Sequence, residues 1–223
     1  MPVTLHASKS QLTRGSAAVT LIDLENGKGS CAEDGTKTTN AHVRGTVPAG
    51  NYKGLSYTVG VPSKLNHTDV AGAPSPLNLA AMGWSWQVGR KFLKIETAEP
   101  SFLVHVGSTG CTGNAEAGAK VTCTSPNRAT VRLASFNPAR QQVAVDLKAL
   151  LKGSTLSSGS TGMTMAHASM DMGSGGMDMS GCMSGPGETS CGPLFAALGI
   201  AWNDTSGGGK SSTKQTVFRA ITR

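Results

Sequence analysis

Short runs in which apolar and polar residues alternate recur along the chain. In SFLVHVG, Phe102, Val104 and Val106 share one face. Leu103 and His105 point to the other face. A period of two is that of a β-strand with one buried face. The same alternation predicts strands in LSYTVGV, WSWQV, ATVRLASF, QQVAVDL and KQTVFRAI, with a further strand in AVTLIDL.

Turn-forming clusters rich in Gly, Pro and Asn separate these runs, as in VPAGNYKG, STGCTGN and SPNR. Helical patterns are confined to LNLAAM and PLFAALGI, each long enough for a turn or two. The sequence therefore predicts an all-β chain, an antiparallel β-sandwich with Greek-key-like connections and short helical turns. We expect a flexible segment at residues 1–20 and a single β domain at residues 21–223. That domain includes a long Met/Gly/Ser-rich loop at residues 153–190.

The composition agrees with a fold of short strands and turns, and it argues against several classes of function. The 223 residues include 29 Gly and 10 Pro, and the formal net charge of +7 is spread along the chain without a basic run. Few aromatic residues are available for base stacking, so no nucleic acid partner is expected. No apolar run approaches the roughly 20 residues that span a bilayer. No paired carboxylates or Ser–His–Asp arrangement can be singled out, and we do not expect an enzyme.

Five cysteines indicate an oxidising compartment. Cys111 and Cys123 form one local pair in a Gly/Ser-rich region, and Cys182 and Cys191 form another. Neither pair has the CxxC spacing of a metal site, so both are predicted to be disulfides. Closing a loop of about a dozen residues stabilises a fold by roughly 3 kcal/mol in the chain-entropy model. Cys31 is left over, either as a free thiol or with a partner upstream of this N-terminus.

A segment that cannot form a core contains most of the methionines. Seven of the nine methionines lie in MTMAHASMDMGSGGMDMSGCM, where Gly, Ser and Asp are the common neighbours. Thioether sulfur is a soft, neutral donor that binds Cu(I) well and hard ions poorly. A low-complexity linker is the alternative, but it does not explain why oxidation-prone methionines are paired. The predicted Cu(I) ligands are Met163, Met165, His167, Met170, Met172, Met177 and Met179.

Four strings in a distinctive order carry a family resemblance. They are VRGTVPAGNYKGLSYTVGVPSKLNH, PLNLAAMGWSWQVGRKFLKIE, FLVHVGSTGC followed by PNRATVRL, and CMSGPGETSCGPLFAALGI. From about Leu21 to the C-terminus, the chain resembles the methanobactin-associated copper-binding protein (MbnP)-like family of periplasmic proteins with a four-cysteine motif. The two cysteine pairs match that motif. Arg90 stands where the resemblance leads us to expect an aromatic residue.

The resemblance implies a β-rich, exported, copper-binding protein whose partner is a di-haem enzyme of the MauG type. In some members this partner oxidises a tryptophan to kynurenine at or near the copper site. By position, the LNH and F-x-V-H strings make His67 and His105 the expected copper ligands, with a third ligand from His42 or a modified tryptophan. The tryptophan motif falls on Trp84 and Trp86, and Trp86 is slightly preferred as the modified residue.

Two interpretations of function remain at this stage. The first is an exported, periplasmic copper-binding protein, although the chain begins without the apolar core of a signal peptide. The alternative is a surface or adhesion β-sandwich module that holds no metal and uses the methionine segment as a linker. Two or three imidazoles brought together from different strands would decide for the first interpretation.

Overall fold

Strands dominate the computed structural model, which describes residues 2–6, 19–28, 32, 35–44, 48–85, 89–97, 101–115, 117–156, 180–185, 187–202 and 214–223. The strands are β1 Pro2–His6, β2 Val19–Leu21, β3 Leu55–Val59, β4 Gly83–Ser85, β5 Gly89–Thr97, β6 Phe102–Gly107, β7 Thr109–Thr112, β8 Thr122–Ser125, β9 Ala129–Leu133, β10 Gln141–Val145, β11 Gly181–Cys182 and β12 Phe218–Thr222. The helices are α1 Ser63–Asn66, α2 Leu147–Leu150 and α3 Cys191–Leu198, and a 3₁₀ turn covers Ala80–Met82.

The strands form two four-stranded sheets and two two-stranded sheets. One sheet has the order β2-β1-β3-β9, and the other has the order β11-β6-β5-β4. β10 pairs with β12, and β7 pairs with β8. All of these pairings are antiparallel except that of the two-residue β11 with β6. The predicted all-β, sandwich-like antiparallel fold is confirmed.

The main core lies between the inward faces of these sheets and α3. Phe102, Val104 and Val106 of β6 are buried in it, as their shared face predicts. Val131 of β9 comes from the other sheet, and Phe195 comes from α3. Each fully buried side chain of this size contributes about 1.5–3 kcal/mol relative to exposure. His105 alternates with these three residues of β6, so it faces away from this core.

A smaller core supports the segment that carries His67. Val61, Leu77 and Phe92 pack together, and Leu65 lies against them. The β5 ladder is irregular between Lys91 and Leu93. Successive side chains of a strand point to opposite faces, so Phe92 joins the small core whereas Leu93 joins the main one. β5 therefore contributes side chains to both clusters.

The N-terminal residues differ from the sequence prediction over part of their length. Residues 2–6 form β1, which pairs with both β2 and β3, instead of belonging to a flexible segment. The PVTLH pattern alone is too short to predict a strand. Its pairing satisfies backbone groups at the edge of β3, and this requirement arises only in the assembled sheet.

The described part of the methionine-rich loop consists of its two ends. Ser154 and Thr155 at one end line a cleft of about 400 Å³ together with Ser180 and Gly181 at the other. The predicted Cys182–Cys191 disulfide is formed at the C-terminal end. Within the described ranges, no helix has both the length and the hydropathy needed to cross a bilayer.

Candidate metal centre

His67 is held in a buried turn directly after α1. Pro62 precedes this short helix, and its carbonyl oxygen accepts from the backbone N–H groups of Leu65 at 2.8 Å and Asn66 at 2.9 Å. His67 ends the helix, and its side chain is mostly removed from solvent, with 7% of the residue exposed. A four-residue helix has too few internal hydrogen bonds to be stable alone, so tertiary contacts must fix the position of this imidazole.

Arg90 supplies those contacts. It is 2% exposed, and its Nη1 donates to the carbonyl oxygens of Leu65 at 2.8 Å and Asn66 at 2.7 Å. Its Nε donates to Leu77 O at 2.8 Å. Burial lowers the pKa of the Arg90 guanidinium, and the charge of Asp69 opposes this shift. The planar fork of donors matches converging carbonyls, so an arginine at this position acts as a clamp on the His67 turn.

The Asn66 amide determines which nitrogen of His67 is unprotonated. The backbone N–H of Arg90 donates to Asn66 Oδ1 at 2.9 Å, which leaves Nδ2 directed at His67 Nε2, 3.3 Å away. An amide nitrogen can only donate, so His67 Nε2 must accept. In the neutral ring the proton is therefore on Nδ1, and Nε2 is the atom available to a metal.

His67 Nε2 faces the first disulfide. It lies 3.4 Å from Cys123 Sγ, and Cys123 is bonded to Cys111 as the sequence predicted. The two cysteines are directly opposite each other on β7 and β8. The three donor atoms lie within 4.8 Å of one another.

His105 has the opposite arrangement, with a carboxylate on Nε2. Glu96 Oε1 accepts from His105 Nε2 at 2.7 Å. This hydrogen bond lowers the pKa of Glu96, and Lys94 contributes to the same shift. His105 is 5% exposed, and its Nδ1 has no hydrogen-bond partner among the described residues. A buried imidazole with a carboxylate on one nitrogen and nothing on the other is suited to metal ligation.

Trp84 borders the same face of β6 as His105. A Cβ added to Gly107 would lie 2.7 Å from the six-membered ring of Trp84, so this ring packs directly on the glycine. Gly107 and His105 are two positions apart on one strand and therefore share a face. The structure thus places a half-buried indole beside the strand position that follows His105 on this face.

A second group of potential ligands surrounds the other disulfide. Cys182, Cys191 and Glu188 also have donor atoms within 4.8 Å of one another. Glu188 Oε2 accepts from the backbone N–H of Met183 at 2.7 Å. Ser184 Oγ donates to His105 O at 2.9 Å and accepts from Gly107 N at 3.2 Å. The C-terminal end of the methionine-rich segment is therefore bound to the backbone of the His105 strand.

Some predicted site residues are not part of these clusters. His42 is exposed in the segment after the Asp23–Asn40 bridge, and its backbone N–H donates to Asn40 Oδ1 at 3.2 Å. His105 is not a member of either three-donor cluster of the described residues. Trp86, Cys31 and the ligands proposed in the methionine segment lie outside the described residues; these last are Met163, Met165, His167, Met170, Met172, Met177 and Met179.

Sequence reasoning missed the residues that orient the imidazoles. These residues are Arg90, Asn66 and Glu96. Arg90 binds the His67 turn at Leu65, 25 positions away, and Glu96 binds His105, nine positions away. Asn66 is adjacent to His67 in sequence. The only sequence signal was the departure of Arg90 from the expected aromatic residue. A buried arginine, unlike an aromatic residue, satisfies several carbonyl oxygens at once.

Comparison with known proteins assigns the chain to a family. The family model for MbnP matches residues 3–169, which is more than half of the chain. The chain belongs to the MbnP family. Among solved structures, MbnP from Methylosinus trichosporium is similar, with a TM-score of 0.63 and 31% sequence identity. The match covers 78% of this chain and 64% of that chain, so this MbnP-family protein spans just under two thirds of its relative. No curated protein matches the chain.

Proposed function

We propose that this MbnP-family protein is an exported, periplasmic copper-binding protein and not an enzyme. His67 and His105 are the imidazole ligands of its scaffold site, and a modified tryptophan or His42 supplies a third ligand. The methionine-rich segment collects Cu(I) and passes it to the scaffold. A di-haem partner of the MauG type oxidises Trp84 or Trp86 to kynurenine.

The observation that carries this proposal is the environment of His105. Its Nδ1 is buried without a hydrogen-bond partner among the described residues, while Glu96 holds Nε2. A buried polar atom without a partner is costly unless something else binds it. Copper favours neutral imidazole, and a carboxylate behind the ring orients the ligand and raises its basicity.

Three further features support the same assignment. The Asn66 amide leaves Nε2 of His67 as an acceptor, so the second imidazole also offers an electron pair. The packing of Trp84 on Gly107 places an oxidisable indole at the His105 face. The bond of Ser184 to the His105 backbone ties the end of the methionine segment to this strand.

The test is copper retention by oxidised protein. Protein with both disulfides intact is loaded with copper, washed with a weak chelator and analysed for copper per chain. We expect the His67→Ala and His105→Ala double variant to lose the retained copper, and replacement of the segment methionines by Leu to reduce only the weakly held fraction. Retention of copper by the double variant would reject the imidazole site.

His42→Ala decides between the two third ligands. If copper falls in this variant, His42 reaches the site when metal is bound. If copper is unchanged, a modified tryptophan is the remaining ligand, and the intact mass of protein co-expressed with the di-haem enzyme should show oxidation at an indole. Protein isolated from its native compartment without copper would favour the metal-free adhesion module instead.

A further inference from the structure

His67 and the disulfide beside it bring three potential soft-metal donor atoms together. His67 Nε2 is 3.4 Å from Cys123 Sγ, and both are within 4.8 Å of Cys111 Sγ. Around a tetrahedral ion with metal–nitrogen bonds of about 2.0 Å and metal–sulfur bonds of about 2.3 Å, a nitrogen and a sulfur lie roughly 3.5 Å apart. The distance between His67 Nε2 and Cys123 Sγ is therefore already that expected between two ligands of one metal ion.

The distance between the two sulfurs has to increase. The same geometry separates two sulfur ligands by about 3.8 Å, whereas the disulfide holds them at 2.10 Å. The Thr109–Ser125 and Thr112–Thr122 pairs flank the cysteines and keep β7 beside β8. When the S–S bond is cut, side-chain rotation alone can widen the gap while the backbone stays paired.

We infer that reduction of Cys111–Cys123 creates a soft-metal site of two thiolates and the His67 imidazole, and that its natural cargo is Cu(I). Thiolate sulfur is the donor that selects Cu(I), and three donors with one imidazole suit a monovalent soft ion. The metal replaces the long 3.3 Å contact between Asn66 Nδ2 and His67 Nε2, which is weak by the usual criteria. Oxidation of the cysteines closes the site.

The chemistry needs a dithiol donor. One donor thiolate attacks a sulfur of the Cys111–Cys123 bond and forms a mixed disulfide, which the second donor thiol resolves. The protein gains two electrons and two protons, and the donor leaves as its own disulfide. Cu(I) then displaces the two thiol protons without changing its oxidation state.

The second disulfide provides an internal contrast. Cys182 and Cys191 are each 0% exposed and belong to the main core, whereas Cys111 and Cys123 are half-buried. Thiol–disulfide exchange requires access of the attacking sulfur. The hairpin disulfide is therefore the one that a dithiol can reduce in the folded protein, and Cys182–Cys191 remains as the structural link at the end of the methionine segment.

The site shares His67 with the proposed copper site but requires neither His105 nor the methionine segment. The experiment uses the full chain with Cys31→Ser and His105→Ala, so that the imidazole pair is already broken. Oxidised and mildly dithiol-reduced samples are titrated anaerobically with Cu(I) held by bicinchoninate. The methionines are the same in both samples, so the difference in affinity reports the cysteines.

We expect the reduced sample to bind one Cu(I) at least about tenfold more tightly than the oxidised sample, with ultraviolet thiolate-to-copper absorption. Mass tagging of free thiols should label Cys111 and Cys123 and leave Cys182 and Cys191 unlabelled. His67→Ala should weaken the binding to the reduced sample by about tenfold or more. Blocking the reduced thiols of the same chain with N-ethylmaleimide should abolish the gain, and this control needs no cysteine variant to fold.

Equal affinity of the reduced and oxidised samples overturns the inference. So does a gain that persists in His67→Ala, because the imidazole would then not be a ligand, or one that tracks labelling of Cys182 and Cys191. If the oxidised His67/His105 site fails its own test, this result still stands, because it is measured in a chain that lacks His105.

Discussion

Arg90 binds Asn66 from two sides: its backbone N–H donates to Asn66 Oδ1 at 2.9 Å, and its Nη1 donates to the Asn66 backbone oxygen at 2.7 Å. The first bond orients the amide that sets the tautomer of His67. The second holds the turn on which His67 lies. Arg90 therefore influences both the position of His67 and which of its ring nitrogens is protonated.

Replacement of Arg90 by Met should destabilise the protein and weaken copper binding. The change leaves the carbonyl oxygens of Leu65, Asn66 and Leu77 without their donor, and such losses cost about 3 kcal/mol together. Urea unfolding of the oxidised protein measures this change. Arg132→Met is the matched control, because Arg132 is exposed on β9 and surface changes stay within about 0.5 kcal/mol. Equal losses in the two variants would contradict the clamp.

Removal of the Glu96 carboxylate should weaken copper binding at His105 without removing a ligand. Orienting groups behind a metal-bound histidine change affinity by about 10–100-fold when they are lost. We expect this loss in Glu96→Ala and a smaller one in Glu96→Gln, whose amide oxygen can still accept from Nε2. Chelator competition on oxidised protein measures it. Lys94→Gln is the control, since Lys94 Nζ lies 3.5 Å from the same Glu96 oxygen and is not a proposed ligand. An unchanged affinity in Glu96→Ala would exclude the orienting role.

Gly107→Ala should displace the Trp84 ring. The new Cβ would stand 2.7 Å from that ring and 3.1 Å from Arg90 O, so either the indole or the strand must move. Overpacking of this kind costs about 1–3 kcal/mol. Gly50→Ala, at an exposed turn where the nearest atom is 3.4 Å away, is the control. Tryptophan fluorescence and thermal unfolding distinguish the two variants, and an unshifted emission spectrum in Gly107→Ala would show that the indole does not rest there.

Asp146 should make stability depend on pH in the acid range. Its side chain accepts from Ala149 N at 2.9 Å at the start of α2, and this bond, with Arg219, lowers the pKa of the carboxyl. Because the folded pKa lies below the ordinary one, the contribution is complete above that ordinary pKa. It is lost as pH falls through the folded value. Asp146→Asn keeps a capping side chain without the charge. Unfolding curves should therefore differ at neutral pH and converge in acid; a constant difference would refute the linkage.

Local patterns were enough to predict the fold class, most strands and both disulfides. The alternation in β6 predicted which residues face the main core, because successive side chains of a strand point to opposite faces. That the methionine segment lies outside the core stays a prediction, since Gly, Ser and Asp between the methionines offer no apolar face and the proposed ligands fall outside the described residues. The family resemblance carried the expectation about His67 and His105, and the family match then established membership.

The surroundings of the histidines were decided only by the tertiary structure. Glu96 contacts His105 because β5 pairs with β6. Arg90, at the start of β5, contacts the turn that carries His67. Cys123 meets His67 across 56 positions of sequence. Such contacts depend on strand pairing, and local propensity carries no information about which strands pair. The residue types at this site follow from sequence, but which nitrogen of His67 accepts a hydrogen bond and which sulfur lies beside it follow from packing.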